Sequence, residues 1–103
     1  MDRRAKLQQH LEEYPNDAFA RYGLAMELAG AGEIEAALQE FKALLDANPD
    51  YTAGYFMAAQ TLAKAGRVEE AKEKLQDGIA SAVRTNNTHA RSEMEGMLAE
   101  LGG

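Results

Sequence analysis

Few side chains in this sequence could do chemistry. His10 and His89 are its only histidines. A metal site would need two or three further ligands converging on one of them, and acid–base catalysis a partner group beside it. No His-x-x-x-His or Glu-x-x-His spacing accompanies either residue, and His89 reads as an exposed residue in the first turn of a terminal helix. Cysteine is absent, which removes disulfides, thiolate zinc sites, iron–sulfur clusters and thiol nucleophiles together and suits a reducing cytoplasm, the expected location. Carboxylates are plentiful at Glu12-Glu13, Glu33-Glu35, Glu69-Glu70-Glu73 and Glu93-Glu95. They follow the starts and polar sides of helices, where acids favour the N-terminal dipole and pair with lysines three or four residues on. Phosphate-cradling Gly-x-x-x-x-Gly-Lys-[Ser/Thr] and Gly-x-Gly-x-x-Gly patterns are missing, as is a calcium loop. These residues carry no catalytic constellation, so the expectation is a non-enzymatic chain with no metal and no cofactor.

One group of side chains invites a different role. Met26, Met57, Met94 and Met97 could fill irregular core gaps or supply adaptable apolar contact to a partner. For Met26 and Met57 the two readings weigh evenly. The formal charge of −6 argues against a nucleic-acid partner, since phosphate backbones are bound by clustered Lys and Arg. No uncharged stretch reaches the ~20 apolar residues of a membrane span, so no membrane association is expected. The N-terminal MDRRAKLQQHLEEYP has basic residues with no apolar run behind them, hence no secretory signal. The Asn86-Asn87-Thr88 glycosylation pattern is therefore read as chance.

The elements that position these residues follow from an internal repeat. Pro15 and Pro49 lie 34 residues apart, as do Gly32 and Gly66. The same offset superposes Ala25 on Ala59, Leu28 on Leu62, Ala29 on Ala63, Ala31 on Ala65, Glu35 on Glu69 and Ala37 on Ala71. Conservative matches fill the gaps: Tyr22 with Phe56, Ile34 with Val68, Phe41 with Leu75, Leu45 with Ile79. A coherent run at one offset marks a repeat and outranks any local motif.

Each unit reads as two helices. In repeat one they run roughly 17–31, opened by Asn16 or Asp17, and 33–47, ended by the Asn48-Pro49 step. Repeat two copies them near 50–65 and 67–84, broken at Gly66. A short helix at 3–13 precedes the first repeat, and Thr88 can cap a last helix running to Leu101, with Gly102-Gly103 a frayed end. Six helices and no strand result. The whole is expected to form one domain over 1–103, with an N-terminal helix in 1–14, repeats in 15–48 and 49–84, and a C-terminal capping helix in 85–103.

The two helices of a unit are patterned differently. The second has a single apolar stripe, Ile34, Ala37, Leu38, Phe41, Leu44 and Leu45. The first has two apolar faces, Leu24, Ala25 and Leu28 on one, Phe19, Tyr22, Met26 and Ala29 on the other. A helix apolar on two sides packs on both or offers one to a ligand. First helices are therefore expected to line the inside of a curved stack and second helices its outer wall.

These residues resemble the tetratricopeptide repeat, a 34-residue helix–turn–helix unit with large, small and aromatic residues at set places and a proline at its end. The matches are Leu24, Ala25, Leu28, Gly32, Ala37, Phe41, Leu44 and Pro49 in repeat one, and Tyr55, Ala59, Leu62, Gly66, Ala71 and Leu75 in repeat two. The departures are Arg21 in place of a large aromatic, Val83 in place of the closing proline, and Gly78 in place of a small alanine, which should weaken its helix by about 0.5–1 kcal/mol. The likeness covers Pro15 to Val83 well and Ser92–Leu101 as a degenerate first helix. It implies an all-α, tetratricopeptide-like α-α superhelix, a right-handed solenoid of antiparallel helix pairs. It also implies a module that binds a protein or peptide in its concave groove.

The groove residues expected are Phe19, Tyr22, Met26, Phe56, Met57, Gln60 and Lys64, with Ser92, Glu95 and Ala99 added by the last helix. Aromatic and Met side chains stand where some members of that family clamp a carboxylate with Lys, Asn and Arg. The expected occupant is therefore an apolar or amphipathic segment. The rival reading is self-assembly. Met94, Met97 and Leu101 form a stripe that a second copy could cover, giving a homodimeric structural protein.

Overall fold

The computed structural model describes residues 2–103 of the chain. It holds six helices and, among the described residues, no strand: α1 (Arg3–Glu13), α2 (Ala18–Gly30), α3 (Ile34–Ala47), α4 (Thr52–Lys64), α5 (Val68–Arg84) and α6 (Thr88–Glu100). Two compact units divide the chain, one ending at Asn48 and one beginning at Pro49. Asn48 leaves the helical region at φ −136 and ψ 74, as the ring of a following proline requires.

The turns repeat as the glycines do. Gly32 and Gly66 both sit at φ 79, in left-handed backbone where a Cβ would be strained. Beyond each, the chain closes the preceding helix with the same two bonds. The Gly66 N–H donates to Ala63 O and the Arg67 N–H to Leu62 O, matching Gly32 to Ala29 and Glu33 to Leu28. Asn86 takes the left-handed place at the end of α5 (φ 54), bonding to Val83. Gly102 and Gly103 close α6 in the same way, through Ala99 and Leu98, so this end is capped rather than frayed.

Within the first unit α1 packs on α2 and α2 on α3. Ala25, Ala37, Phe41 and Leu44 are buried, and the two alanines let the helices approach closely. Arg21, the departure from the repeat pattern, bridges the pair instead of an aromatic. Its guanidinium donates to Glu40 Oε1 at 2.5 Å and to Pro15 O at 3.1 Å. Arg3 with Glu27 (3.1 Å) and Arg4 with Glu33 add ion pairs at the surface.

Asp17 joins α1 to α2. Its carboxylate accepts the Ala20 N–H at 3.1 Å as N-cap of α2 and meets His10 Nε2 at 2.7 Å. The His10 hydrogen bond first, then the Ala20 N–H, holds this carboxyl below the ordinary aspartate range. A depressed folded value means the contribution is fully present above about pH 5 and is lost as pH falls below about 4. Thermal midpoints followed across that window should drop with acid, and part of the drop should disappear in Asp17→Ala. An acid profile identical in the variant would remove Asp17 from this role.

In the second unit α4 packs on α5 and α5 on α6, while α4 and α6 meet over a short stretch. Ala59, Ala71, Leu75 and Met94 are buried at its centre. The buried Thr52 and Ser81 hydroxyls bond at 2.8 Å and fix the start of α4 against α5. The Tyr55 phenol donates to Pro49 O at 2.8 Å. Burial, with Asp77 nearby, pushes it above the ordinary tyrosine value, so it stays a donor. Arg84 closes the same corner through Asp50 Oδ1 at 2.8 Å.

Candidate functional site

The short meeting of α4 and α6 leaves a cleft between them, of volume ≈ 410 Å³. It is lined by Phe56 and Gln60 from α4 and by Ser92, Glu93, Gly96, Met97 and Glu100 from α6. Neighbouring residues explain why these side chains point there. Tyr55 turns inward to its hydrogen bond with Pro49 and is buried, so Phe56, one residue and about 100° further on, faces outward and stays half-buried. Met94 turns inward on α6, where a Cβ on Gly78 would fall 2.5 Å from its Sδ. Met97, about one turn on and displaced around the helix, borders the cleft instead.

Gly96 is the least expected member. A Cβ built on it meets no heavy atom within 4 Å, so packing does not require glycine there. Mid-helix glycine costs about 0.5–1 kcal/mol relative to alanine. Here it leaves open space beside the cleft lining. Gly78 is the opposite case, since its missing Cβ would lie 2.7 Å from Tyr55 Cβ. The lower stability expected of that helix from glycine alone is corrected by the structure: alanine does not fit.

Of the expected groove residues, the structure brings some together and leaves others apart. Phe56, Gln60 and Ser92 come together in the cleft. Met57, half-buried, and Lys64, exposed, are on α4 but do not line the cleft. In the first unit Phe19 is 74% exposed, while Tyr22 and Met26 are half-buried on the same helix. On α6 the lining is Glu93, Gly96, Met97 and Glu100, not Glu95 and Ala99. The helix is capped by Asn87, whose side chain accepts the Ala90 N–H at 3.1 Å, one residue before the Thr88 cap expected. α6 has no preceding copy at the 34-residue offset in register with it, so its rotation could not be read by superposition.

The stripe expected to drive self-association is broken up. Met94 is fully buried within its own unit, which corrects its assignment to an exposed surface: α5 presents Gly78 and leaves room for the thioether. Met97 borders the cleft, and Leu101 is half-buried at the C-cap of α6.

His10 contacts Asp17, and His89 Nε2 lies 3.2 Å from Glu93 Oε1. Among the described residues no group of three or more His, Asp or Glu is arranged to hold a metal ion. None of the helices described is long and apolar enough to cross a membrane.

The sequence profile of the tetratricopeptide repeat family matches residues 28–91. The chain is 26% identical over 95 residues to a TPR repeat-containing protein of Pseudomonas aeruginosa, spanning 92% of this chain and 90% of that one. The solution structure of a tetratricopeptide repeat domain protein from Salinibacter ruber is 27% identical, with a TM-score of 0.81 over 86% of this chain and 90% of that chain. The crystal structure of PcrH in complex with the chaperone binding region of PopD has a TM-score of 0.88 at 19% identity, covering 95% and 74%. The likeness to PcrH is one of fold.

Proposed function

Because the chain belongs to the tetratricopeptide repeat family, we propose that it is a non-enzymatic interaction module that seats an apolar or amphipathic protein segment between α4 and α6. The fold supports a protein-interaction role, and one of its structural neighbours, PcrH, is in complex with the chaperone binding region of PopD. The observation that carries the finer reading is the open cleft itself. Phe56 and Met97 offer half-buried apolar surface there, and Gly96 keeps the floor clear with no packing reason of its own. Aromatic anchors at the centre of such a surface supply most of the binding energy in protein interfaces. Gln60 and Ser92 add neutral polar groups that can pair with a segment's backbone or side chains.

The test uses a displayed library of 12-residue peptides selected on the intact chain, with affinities measured by fluorescence anisotropy. Gly96→Leu should keep the helical content and melting behaviour, since nothing stands within 4 Å of its Cβ, yet fill the cleft and abolish binding. Phe56→Ala should weaken the selected peptides by about 2 kcal/mol, some thirtyfold. Binding indifferent to both changes, but lost on altering Glu69 and Lys72 of α5, would put the site on another face and defeat this reading.

A further inference from the structure

The cleft is apolar at its floor and acidic at its border. Glu93 and Glu100 stand seven residues apart on α6, two turns along one face, with Met97 and Gly96 between them. No lysine, arginine or other base from α4 or α6 lines the opening except through His89, which reaches Glu93 from an exposed position. Glu100 has no ion-pair partner among the described residues. The remaining charges of α6 are engaged elsewhere, Arg91 with Glu95 at 3.5 Å. Lys64, two turns beyond Phe56 at the end of α4, is paired with neither glutamate. The chain as a whole carries −6, so the long-range field reinforces the local one.

From this complementarity we infer that the segment seated between α4 and α6 carries an arginine or lysine beside its apolar residues, and that the cleft selects for it. The inference rests on the reading of this cleft as the binding seat. A basic side chain suits the site on three counts. Its methylene stem can lie along Met97 and the bare Gly96 backbone, as long charged residues do on apolar surfaces. Its cationic head can sit on the face of Phe56. Glu93 and Glu100 then flank it as acceptors, and arginine, with five donors in a rigid fork, can engage one carboxylate through two bonds. An acidic segment would meet both carboxylates in a partly desolvated cleft and be repelled. A purely apolar segment would cover them without pairing them.

The peptides selected on the intact chain should be enriched in arginine or lysine adjacent to Leu, Ile, Met or an aromatic. Their affinity should fall at least tenfold in the double variant Glu93→Gln/Glu100→Gln and hardly change in Glu73→Gln, on the exposed side of α5. Binding should also weaken as salt is raised. Cleft-bound peptides that lack a basic residue, or whose affinity survives the double variant, would overturn this inference while leaving the binding seat intact. Peptides that bind Gly96→Leu as well as the unaltered chain would overturn the seat and the inference with it.

Discussion

Met94→Ala should lower the stability of the second unit by about 2–5 kcal/mol, the range for emptying a fully buried methionine position. Met94 is wholly shielded from solvent, with Sδ and Cε turned toward the backbone of Gly78. Removing the thioether leaves a void that α5 cannot collapse into, because the hydrogen bond between Thr52 and Ser81 fixes α5 against α4. For a domain this size each kilocalorie moves the melting temperature by about 4–8 °C, so a loss of about 8 °C or more is expected. Calorimetry or circular dichroism measures it directly. The alternative role for Met94, contact with a second copy, predicts a different outcome: a shift in oligomeric mass with the melting of the isolated chain unchanged.

Gly78→Ala carries the second large effect, and its sign opposes helix propensity. Alanine in mid-helix should stabilise by about 0.5–1 kcal/mol. At this position the new Cβ would stand 2.5 Å from Met94 Sδ and 2.7 Å from Tyr55 Cβ. The methionine can swing away, but Tyr55 Cβ is tied to the backbone of α4, so a helix must move. Overpacking of this kind costs about 1–3 kcal/mol, and the net change is expected to be destabilising. The two substitutions share a contact and should not add: Gly78→Ala/Met94→Ala should be more stable than the sum of the single losses implies. A Gly78→Ala chain that melts higher than the parent would mean that α4 and α5 yield more readily than this packing allows.

The acidic drop in stability assigned to Asp17, the loss of peptide binding in Gly96→Leu and the basic signature of selected peptides concern surfaces, and their effects on folding should be small beside these two. That ordering follows from burial. Met94 and Gly78 lie inside, where a change of one methyl group is felt. Gly96 opens on space.

Much of this protein was determined by the sequence alone, through signals that act within a few residues. The helix at Arg3–Glu13, the break at Asn48-Pro49 and the left-handed turns at Gly32 and Gly66 follow from capping, proline sterics and glycine's freedom at positive φ. The 34-residue offset fixed the helix pairs, because the same residues stand at the same places twice. Phe56 and Gln60 could be placed together on one face of α4 for that reason, and both line the cleft. The tertiary structure decided what lies around the axis of α6. That helix has no partner copy in register at the 34-residue offset, so superposition on an earlier helix could not say which of its faces turns inward. Met94, Gly96 and Met97 are all compatible with a helical pattern, yet one is core, one is open floor and one borders the cleft. Nothing local distinguishes them. The difference lies in what α4 and α5 present across the space, a glycine at 78 that admits the thioether and a phenylalanine at 56 that stops short of closing the cleft, and packing between elements distant in the chain is not encoded in the periodicity of either one.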